Sequence, residues 1–314
     1  MATFLPRLSG SALSEDSPQP YLWMLAGCFC FACMATLAHG AREYFPWQAV
    51  AIGRALVPLV LVAAWALATG VRLVFFRPAI LWMRSIAGSI SLVCTFYALT
   101  RLPPPEVFSL TSMYPVWVAV LSWPMLGVVP RASVWLSVAC SLCGVWLIYP
   151  LDLFSHVPTE RDLPILAAIV ASFATAFAML GLHRLQGIDS KAVVVHFSFT
   201  ALLFAIAAYC FLPQAAPERA DLSTGLVALG GLGLAATFGQ LLLTKAFTHG
   251  DPAKVSVVNL AQIPLTLAFD LVFFDHGLDP WKLVGMALIL GPTGWLLASQ
   301  KSKKLPLDQE PLEP

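Results

Sequence analysis

Charged residues are scarce in this sequence. They make up 11% of its 314 residues, whereas hydrophobic residues make up 59%. Soluble domains carry about 25% charged residues. So few polar side chains cannot cover a surface that faces water, and the formal net charge of +1 provides no basic surface for nucleic acid. The composition therefore argues against a soluble protein and a nucleic-acid partner, and it indicates a protein that faces lipid.

The residue patterns of enzymes and metal sites are also missing. The chain contains neither an H-E-x-x-H nor a G-x-S-x-G motif, and its cysteines lie in apolar stretches without other metal-ligating residues nearby. The C-x-x-C formed by Cys140 and Cys143 lacks the βαβ context of a redox motif. We predict no disulfide framework, no metal, no cofactor and no enzymatic activity; an intramembrane enzyme is the less favoured alternative. The cysteines are Cys28, Cys30, Cys33, Cys94, Cys140, Cys143 and Cys210.

The apolar residues that are present are collected into ten segments. Each approaches the ~20 residues that a helix needs to cross the hydrocarbon core of a bilayer. They are continuously apolar and too long for the alternating strands of a lipid-facing barrel. The sequence predicts an all-α integral membrane protein with ten transmembrane helices, although nine or eleven also fit. The segments are 22–38, 47–69, 79–99, 106–127, 132–150, 163–182, 192–212, 224–247, 253–274 and 281–298.

The two ends of the chain are polar and interrupted by proline. We predict that residues 1–20 form a disordered cytoplasmic N-terminus and that 299–314 form a cytoplasmic tail. Loops rich in Lys and Arg face the cytoplasm. With both termini inside, twelve of the 18 basic residues fall on the cytoplasmic side, five fall outside, and Arg54 lies within a helix. This distribution predicts a multi-pass protein of a bacterial inner membrane with both termini in the cytoplasm.

The two halves of the sequence resemble each other at a spacing of roughly 148 residues. The stretch 98–104 aligns with 246–252, and Pro115 aligns with Pro264. Residues 21–150 and 163–298 are thus predicted to be two five-helix repeats. Because five is odd, the second repeat enters the membrane in the opposite orientation, and inverted repeats of this kind enclose a substrate site near the midplane.

One segment of each half is similar to a known family. The third segment contains Arg84, Gly88 and Thr95-Phe96-Tyr97-Ala98-Leu99, and a proline turn then leads to Glu106-Val107-Phe108 in the fourth segment. The second half is similar, with Lys245-Ala246-Phe247, Pro252-Ala253-Lys254-Val255 and Pro264. These residues resemble the recurring pattern of EamA-type transporters in the drug/metabolite transporter superfamily. The chain departs from that pattern where the family commonly has Gly-Glu, since it has Gly127-Val128 and Asp275-His276. The resemblance implies ten helices in two repeats and small substrates such as amino acids and other amphipathic metabolites.

Uncharged polar residues within the predicted spans are candidates for a substrate site. Asn259 and Gln262 are three residues apart and share a helix face. Pro264 follows them and can leave a backbone carbonyl free to face a cavity. Tyr114 precedes Pro115 at the corresponding position of the first repeat, and Gln240 and Tyr97 could line the same space. Alternatively, these amides and phenols only form hydrogen bonds between helices.

Charged residues within the spans need a partner or a function, because charge is costly in hydrocarbon. Arg54 and Asp270 are predicted to lie in the same leaflet, one in each repeat. They either hold an amphipathic substrate between them or form a structural salt bridge. Arg84 and Lys245 lie near the predicted cytoplasmic boundary, where we expect their long side chains to extend towards water.

These observations together predict an alternating-access transporter of a small organic metabolite, either an exporter or an exchanger. The first predicted span contains no Asp or Glu, and neither does the sixth, so a facilitator or exchanger is as compatible as a proton-coupled carrier that uses Asp270. The predicted partners are a small-molecule substrate and membrane lipid, in a monomer or homodimer. A structural membrane protein without transport is the alternative.

Overall fold

The architecture is taken from a computed structural model of the protein. It describes residues 18–99, 101–102, 104–148, 162–212, 221–273 and 280–301. These residues are all-helical, as predicted, and contain no strand. The predicted polar ends lie almost entirely outside the described residues. The helices are α1 (Gln19–Ala41), α2 (Trp47–Ala68), α3 (Ala79–Leu99), α4 (Pro104–Thr111), α5 (Tyr114–Leu126), α6 (Ala132–Ile148), α7 (Asp162–His183), α8 (Ser190–Phe211), α9 (Leu222–His249), α10 (Pro252–Asn259), α11 (Gln262–Phe273) and α12 (Pro280–Lys301).

Six of these helices are long and apolar enough to cross a membrane within the described residues. They are α1, α2, α3, α7, α8 and α9, and α6 is a shorter apolar helix. The helices that follow the turns at Asp189, Asp221 and Asp251 begin with a carboxylate that accepts hydrogen bonds from backbone N–H groups of the first turn. Hydrogen bonds from Ser223 and Thr224 lower the pKa of the exposed Asp221 to about 2. This cap therefore stays charged at every physiological pH.

Two predicted spans are each divided into two helices. The segments 106–127 and 253–274 were expected to be continuous, and this expectation is wrong. The first consists of α4 and α5, and the second consists of α10 and α11. Each break lies just before the proline shared by the repeats, Pro115 or Pro264. A proline lacks the N–H that would bond to the carbonyl four residues earlier, and the carbonyl of Leu260 instead accepts a hydrogen bond from Ile263 at 3.0 Å.

The two halves contact each other through corresponding helix pairs. When α1–α6 and α7–α12 are exchanged in order, the contact of α1 with α9 becomes that of α7 with α3. The contact of α3 with α8 likewise becomes that of α9 with α2, and that of α5 with α7 becomes that of α11 with α1. The pairs α2 with α8 and α6 with α12 map onto themselves. The bundle is thus organised around a pseudo-twofold relation between halves.

The helices at this interface run in defined relative directions. Gln48, near the start of α2, bonds to the carbonyl of Leu212 just beyond the end of α8. Lys191, at the start of α8, donates a hydrogen bond of 2.9 Å to Thr69 just beyond the end of α2. The second helices of the two halves are therefore antiparallel.

Glycines allow α6 and α12 to pack at very close range. A Cβ added at Gly144 would lie 2.5 Å from the carbonyl oxygen of Gly285, and one added at Gly285 would lie 2.7 Å from that of Gly144. Helices in membranes associate largely through such small-residue contacts, because lipid provides little hydrophobic driving force between them. This crossing joins the last helices of the two halves.

Candidate functional site

A cavity of about 470 Å³ lies between the two halves. This volume is within the range of sites for small organic molecules. Both halves contribute to its wall, chiefly α1, α2 and α3 from the first and α7, α8, α9 and α11 from the second. Its lining includes four aromatic rings, Phe31, Phe96, Phe108 and Phe197.

The cavity lies off-centre along the bundle. It extends from Arg84, in the first third of α3, to Arg42, just beyond the C-terminal end of α1. The opposite end of the bundle is filled by the largest apolar cluster, which includes Tyr21, Met24, Leu182 and Phe247. These side chains are at most 2% exposed. The cavity is therefore closed on the side where α1 begins.

Arg84 is the most deeply buried charged residue of the site. Its side chain is 1% exposed, and its guanidinium carbon lies 4.2 Å from the centroid of the Phe197 ring. Nε and Nη1 are buried and have no hydrogen-bond partner. The expectation that Arg84 extends to the cytoplasmic boundary is wrong, because α7 and α8 cover it on the N-terminal half of α3. The exposed Lys245 fits that expectation, with Nζ 5.8 Å from the Trp23 ring.

Gly88 provides the space that the Arg84 side chain occupies. It lies one helical turn after Arg84, so the two residues share a face of α3. A Cβ at position 88 would overlap Nη1 of Arg84 and approach Cε2 of Phe197 to 2.8 Å. The absence of a side chain at position 88 thus lets the guanidinium lie between α3 and the Phe197 ring.

A buried histidine fixes α8 against α3 beside this arginine. His196 is fully buried, and its Nδ1 lies 2.7 Å from the Ser85 hydroxyl. Its Nε2 lies 3.1 Å from the carbonyl oxygen of Phe75, and Trp82 packs edge-on against the imidazole. Since His196 directly precedes Phe197 in the chain, these contacts also fix the ring that covers Arg84.

Two further arginines line the cavity. Arg54 on α2 is half-buried, and Arg42 is exposed at the far end. Arg54 and Arg84 are close enough for their charges to repel each other. Among the described residues, no Asp, Glu or Lys contributes to the cavity wall. The charged part of the lining that the structure describes is thus entirely cationic.

The second half contributes amides to the same cavity. Asn259 is the last residue of α10 and Gln262 is the first residue of α11, so both border the helix break. Gln240 on α9 and Thr266 on α11 also line the wall. Between the two halves, the hydroxyl of Ser91 on α3 bonds to that of Thr175 on α7 at 2.6 Å, and both residues line the cavity.

Tyr114 lies behind Asn259 and does not line the cavity. The side-chain amide of Asn259 donates a hydrogen bond of 2.7 Å to the Tyr114 hydroxyl, which in turn donates one of 3.0 Å to the carbonyl of Ser256. The Cys28 thiol also lies 3.7 Å from the side-chain oxygen of Asn259. These contacts orient the Asn259 amide, so Tyr114 acts through Asn259.

The other predicted site residues are placed as follows. Arg54, Gln240, Asn259 and Gln262 come together in one cavity, whereas the half-buried Tyr97 is not part of its lining. Asp270 follows Thr266 by one helical turn, but its side chain lies outside the described residues. The predicted pairing of Arg54 with Asp270 therefore stays a prediction.

Sequence reasoning missed Arg84 and Arg42 as site residues. Arg84 was assigned to a membrane boundary because a basic residue near a span end usually reaches water, and Arg42 was counted only among the basic residues outside the membrane. A signal was present for Arg84, since a glycine one turn later on the same helix face can make room for a buried guanidinium. No signal in the sequence distinguishes Arg42 from other basic loop residues.

Comparisons with known proteins agree with this architecture. The model of the EamA-like transporter family matches residues 19–149 and 162–297. The pseudopaline exporter CntI of Pseudomonas aeruginosa is 26% identical over 266 residues, which cover 83% of this chain and 90% of the exporter. A probable transport protein of Saccharomyces cerevisiae is 24% identical over 240 residues, covering 71% of this chain and 68% of that protein.

A crystal structure of another protein has the same fold. It matches with a TM-score of 0.75 at 19% sequence identity, covering 89% of this chain and 98% of the other. The family match falls separately on the two halves of the bundle and together spans most of the sequence. The chain therefore belongs to the EamA-like transporter family.

Proposed function

We propose that this protein is an alternating-access transporter that exports or exchanges a small organic metabolite. The observation that carries the proposal is the cavity of about 470 Å³ between two pseudo-symmetric halves, with cationic and amide side chains on its wall. A structural bundle has no need of such a space, since packed interiors contain few voids larger than a water molecule. The similarity to a pseudopaline exporter supports export of a metabolite as the direction.

In this proposal the chain crosses the inner membrane ten times. The pairs α4–α5 and α10–α11 each form one broken crossing, and α6 and α12 complete the two repeats. The antiparallel course of α2 and α8 supports an inverted arrangement of the repeats, because these are equivalent helices. Discontinuous helices near an inverted-repeat interface are common in carriers of this type.

The distribution of basic residues supports an orientation with both termini in the cytoplasm. With that orientation α1 ends on the outer side, so the cavity extends outwards and the apolar cluster closes the cytoplasmic side. The described conformation is then outward-facing. Rocking of one half against the other would close the Arg42 end and separate the side chains around Phe247.

The experiment is ligand-dependent stabilisation followed by transport. The purified protein is screened against a metabolite panel by thermal unfolding, because a ligand that binds the folded state raises its midpoint. Compounds that stabilise it are then tested for counterflow in proteoliposomes. We expect at least one stabilising compound to be transported. A protein that binds no metabolite and supports no flux above empty liposomes would contradict the proposed function.

A further inference from the structure

The charge of the cavity is its most selective feature. Arg42, Arg54 and Arg84 line it, and no described acidic residue does. Like charges held close together in a region of low dielectric repel each other strongly. Such an arrangement favours any occupant that brings negative charge, and it disfavours cations.

Arg84 shows that this charge is not satisfied by the protein. Its side chain is 1% exposed, while Nε and Nη1 have no hydrogen-bond partner. Buried guanidinium groups normally have a carboxylate or carbonyl partner, because leaving their N–H groups unpaired is costly. The Phe197 ring provides a cation–π contact on one face of the guanidinium. The N–H groups point outwards in the plane of the guanidinium, so this contact gives them no hydrogen-bond acceptor. Arg84 also lines the inner end of the cavity, so a small movement of its side chain would bring these unpaired donors to an acceptor on the ligand.

The other wall residues define the rest of the ligand. The amides of Gln240, Asn259 and Gln262 can donate to and accept from hydroxyl or carbonyl groups. Phe31 and Phe197 provide apolar surface for a short carbon skeleton. Arginine binds carboxylate and phosphate oxygens in a planar, bidentate manner. Two guanidinium groups that repel each other are both neutralised only by a ligand with two negative charges.

We infer that the cavity binds an organic anion that carries at least two negative charges and contacts both Arg84 and Arg54 through carboxylate or phosphate oxygens. Arg42 lies at the outer end and attracts the anion towards this site. The inference rests on the transporter role proposed above and specifies its substrate class. It also assigns a binding role to Arg84, whose position in the sequence indicated only a boundary residue.

Binding to purified protein is the first test. Dissociation constants are measured by isothermal titration calorimetry for succinate, glutarate, glycerol 3-phosphate, inorganic phosphate, propionate and the neutral succinamide. We expect at least one of the organic dianions to bind at least tenfold more tightly than propionate, and succinamide not to bind. Preference for succinate and glutarate would identify carboxylate as the acidic group, and preference for glycerol 3-phosphate would identify phosphate. Equal affinity for succinamide and succinate, or binding of inorganic phosphate alone, would overturn the inference.

Substitutions at Arg84 separate a binding role from a structural one. Arg84→Gln is expected to weaken binding of the preferred dianion at least tenfold and to leave the unfolding midpoint of the ligand-free protein unchanged or higher, because it removes a buried, unpaired charge. Arg84→Lys keeps the charge but loses the planar donor pair, so we expect intermediate affinity. The matched control is Lys245→Gln, which removes an exposed cation outside the cavity. A lower unfolding midpoint for Arg84→Gln with unchanged affinity would assign Arg84 a structural role and overturn the inference.

A variant of Asp270 tests whether Arg54 binds the ligand or pairs with this carboxylate. It follows the cavity-lining Thr266 by one turn on α11. If Arg54 is reserved for the ligand, Asp270→Asn leaves the affinity for the dianion unchanged or increases it, whereas loss of binding in this variant would overturn the assignment of Arg54. Transport of neutral or cationic metabolites by the wild-type protein, with Arg84→Gln equally active, would overturn the anion site but retain the transporter. The absence of any binding or transport would instead contradict the proposed function itself.

Discussion

At the scale of single residues, one missing methyl group determines where the Arg84 side chain lies. Gly88→Ala would place a Cβ where Nη1 of Arg84 now lies. The guanidinium is the flexible end of its side chain, so we expect it to move, together with a small shift of the Phe197 ring, while α3 stays intact. Alanine also favours a helix over glycine by ~1 kcal/mol. The predicted result is a stable protein with about tenfold lower substrate affinity.

This prediction is checked by measuring substrate affinity and the unfolding midpoint together. Gly230→Ala is the matched control, because a Cβ at Gly230 meets nothing within 4 Å. If Gly88→Ala binds substrate as the wild type does, the location of the Arg84 guanidinium is unimportant for the site.

The hydroxyl of Tyr114 orients the side-chain amide of Asn259, which lines the cavity although Tyr114 itself does not. Tyr114→Phe removes the acceptor of the Asn259 amide and the donor to the Ser256 carbonyl. We expect a loss of about 1–2 kcal/mol of stability and a several-fold weaker substrate affinity. A double-mutant cycle with Asn259→Ala measures the coupling, and strictly additive effects on affinity would argue against an action through Asn259.

The site residues show what a sequence can predict at this scale. Asn259, Gln262 and Gln240 were identified as candidates because uncharged polar groups stand out within apolar spans, and the structure places all three in one cavity. Tyr114 stood out for the same reason, yet it lies one layer behind. Whether a polar side chain faces a cavity or another helix depends on tertiary packing, which one-dimensional periodicity does not contain.

At the scale of elements, turn residues predicted well where helices begin and end. They did not predict whether a long helix is continuous or broken. The predicted spans 47–69 and 79–99 differ from α2 and α3 by no more than one residue at either end. The breaks before Pro115 and Pro264 were not predicted, because a proline in a membrane helix can produce either a kink or an interruption. Neighbouring helices decide between these outcomes by supplying partners for the freed backbone groups.

The crossing of α6 and α12 gives a prediction at the same scale. Gly144→Ala would place a methyl group 2.5 Å from the backbone oxygen of Gly285, where neither helix can yield without moving. We expect a destabilisation of about 1–3 kcal/mol from overpacking. Gly291→Ala on α12 is the control, because a Cβ there has open space. Equal unfolding midpoints for the two variants would show that the close approach contributes nothing to stability.

At the scale of the whole molecule, orientation is the testable consequence of the charge distribution. Both termini are predicted to be cytoplasmic, since twelve of 18 basic residues then lie on that side. Green fluorescent protein fused to the C-terminus should fluoresce, whereas alkaline phosphatase at the same position should be inactive. An active phosphatase fusion would reverse the orientation and make the described cavity inward-facing.

The architecture was accessible from composition and internal similarity. The scarcity of charged residues indicated a protein that faces lipid. The alignment of the two halves, including Pro115 with Pro264, indicated a repeat. Which helices of the two halves pack together was not accessible, because apolar surfaces of similar length are interchangeable in a sequence. Small residues resolve this ambiguity, as Gly144 and Gly285 do for α6 and α12, but only the folded structure shows which glycines meet.

Chemically the two halves are unlike, although their packing is related by symmetry. All three arginines of the cavity belong to the first half, and its three amides belong to the second. During a rocking motion an anionic cargo would remain attached to the cationic half, while the amide half makes and breaks weaker contacts around it. In the proposed mechanism, the first repeat therefore binds the anionic groups, and the second repeat contacts the rest of the ligand. A chain made of two copies of the first half would bring six mutually repelling arginines together in the cavity, and it would lack the three amides that contact the rest of the ligand.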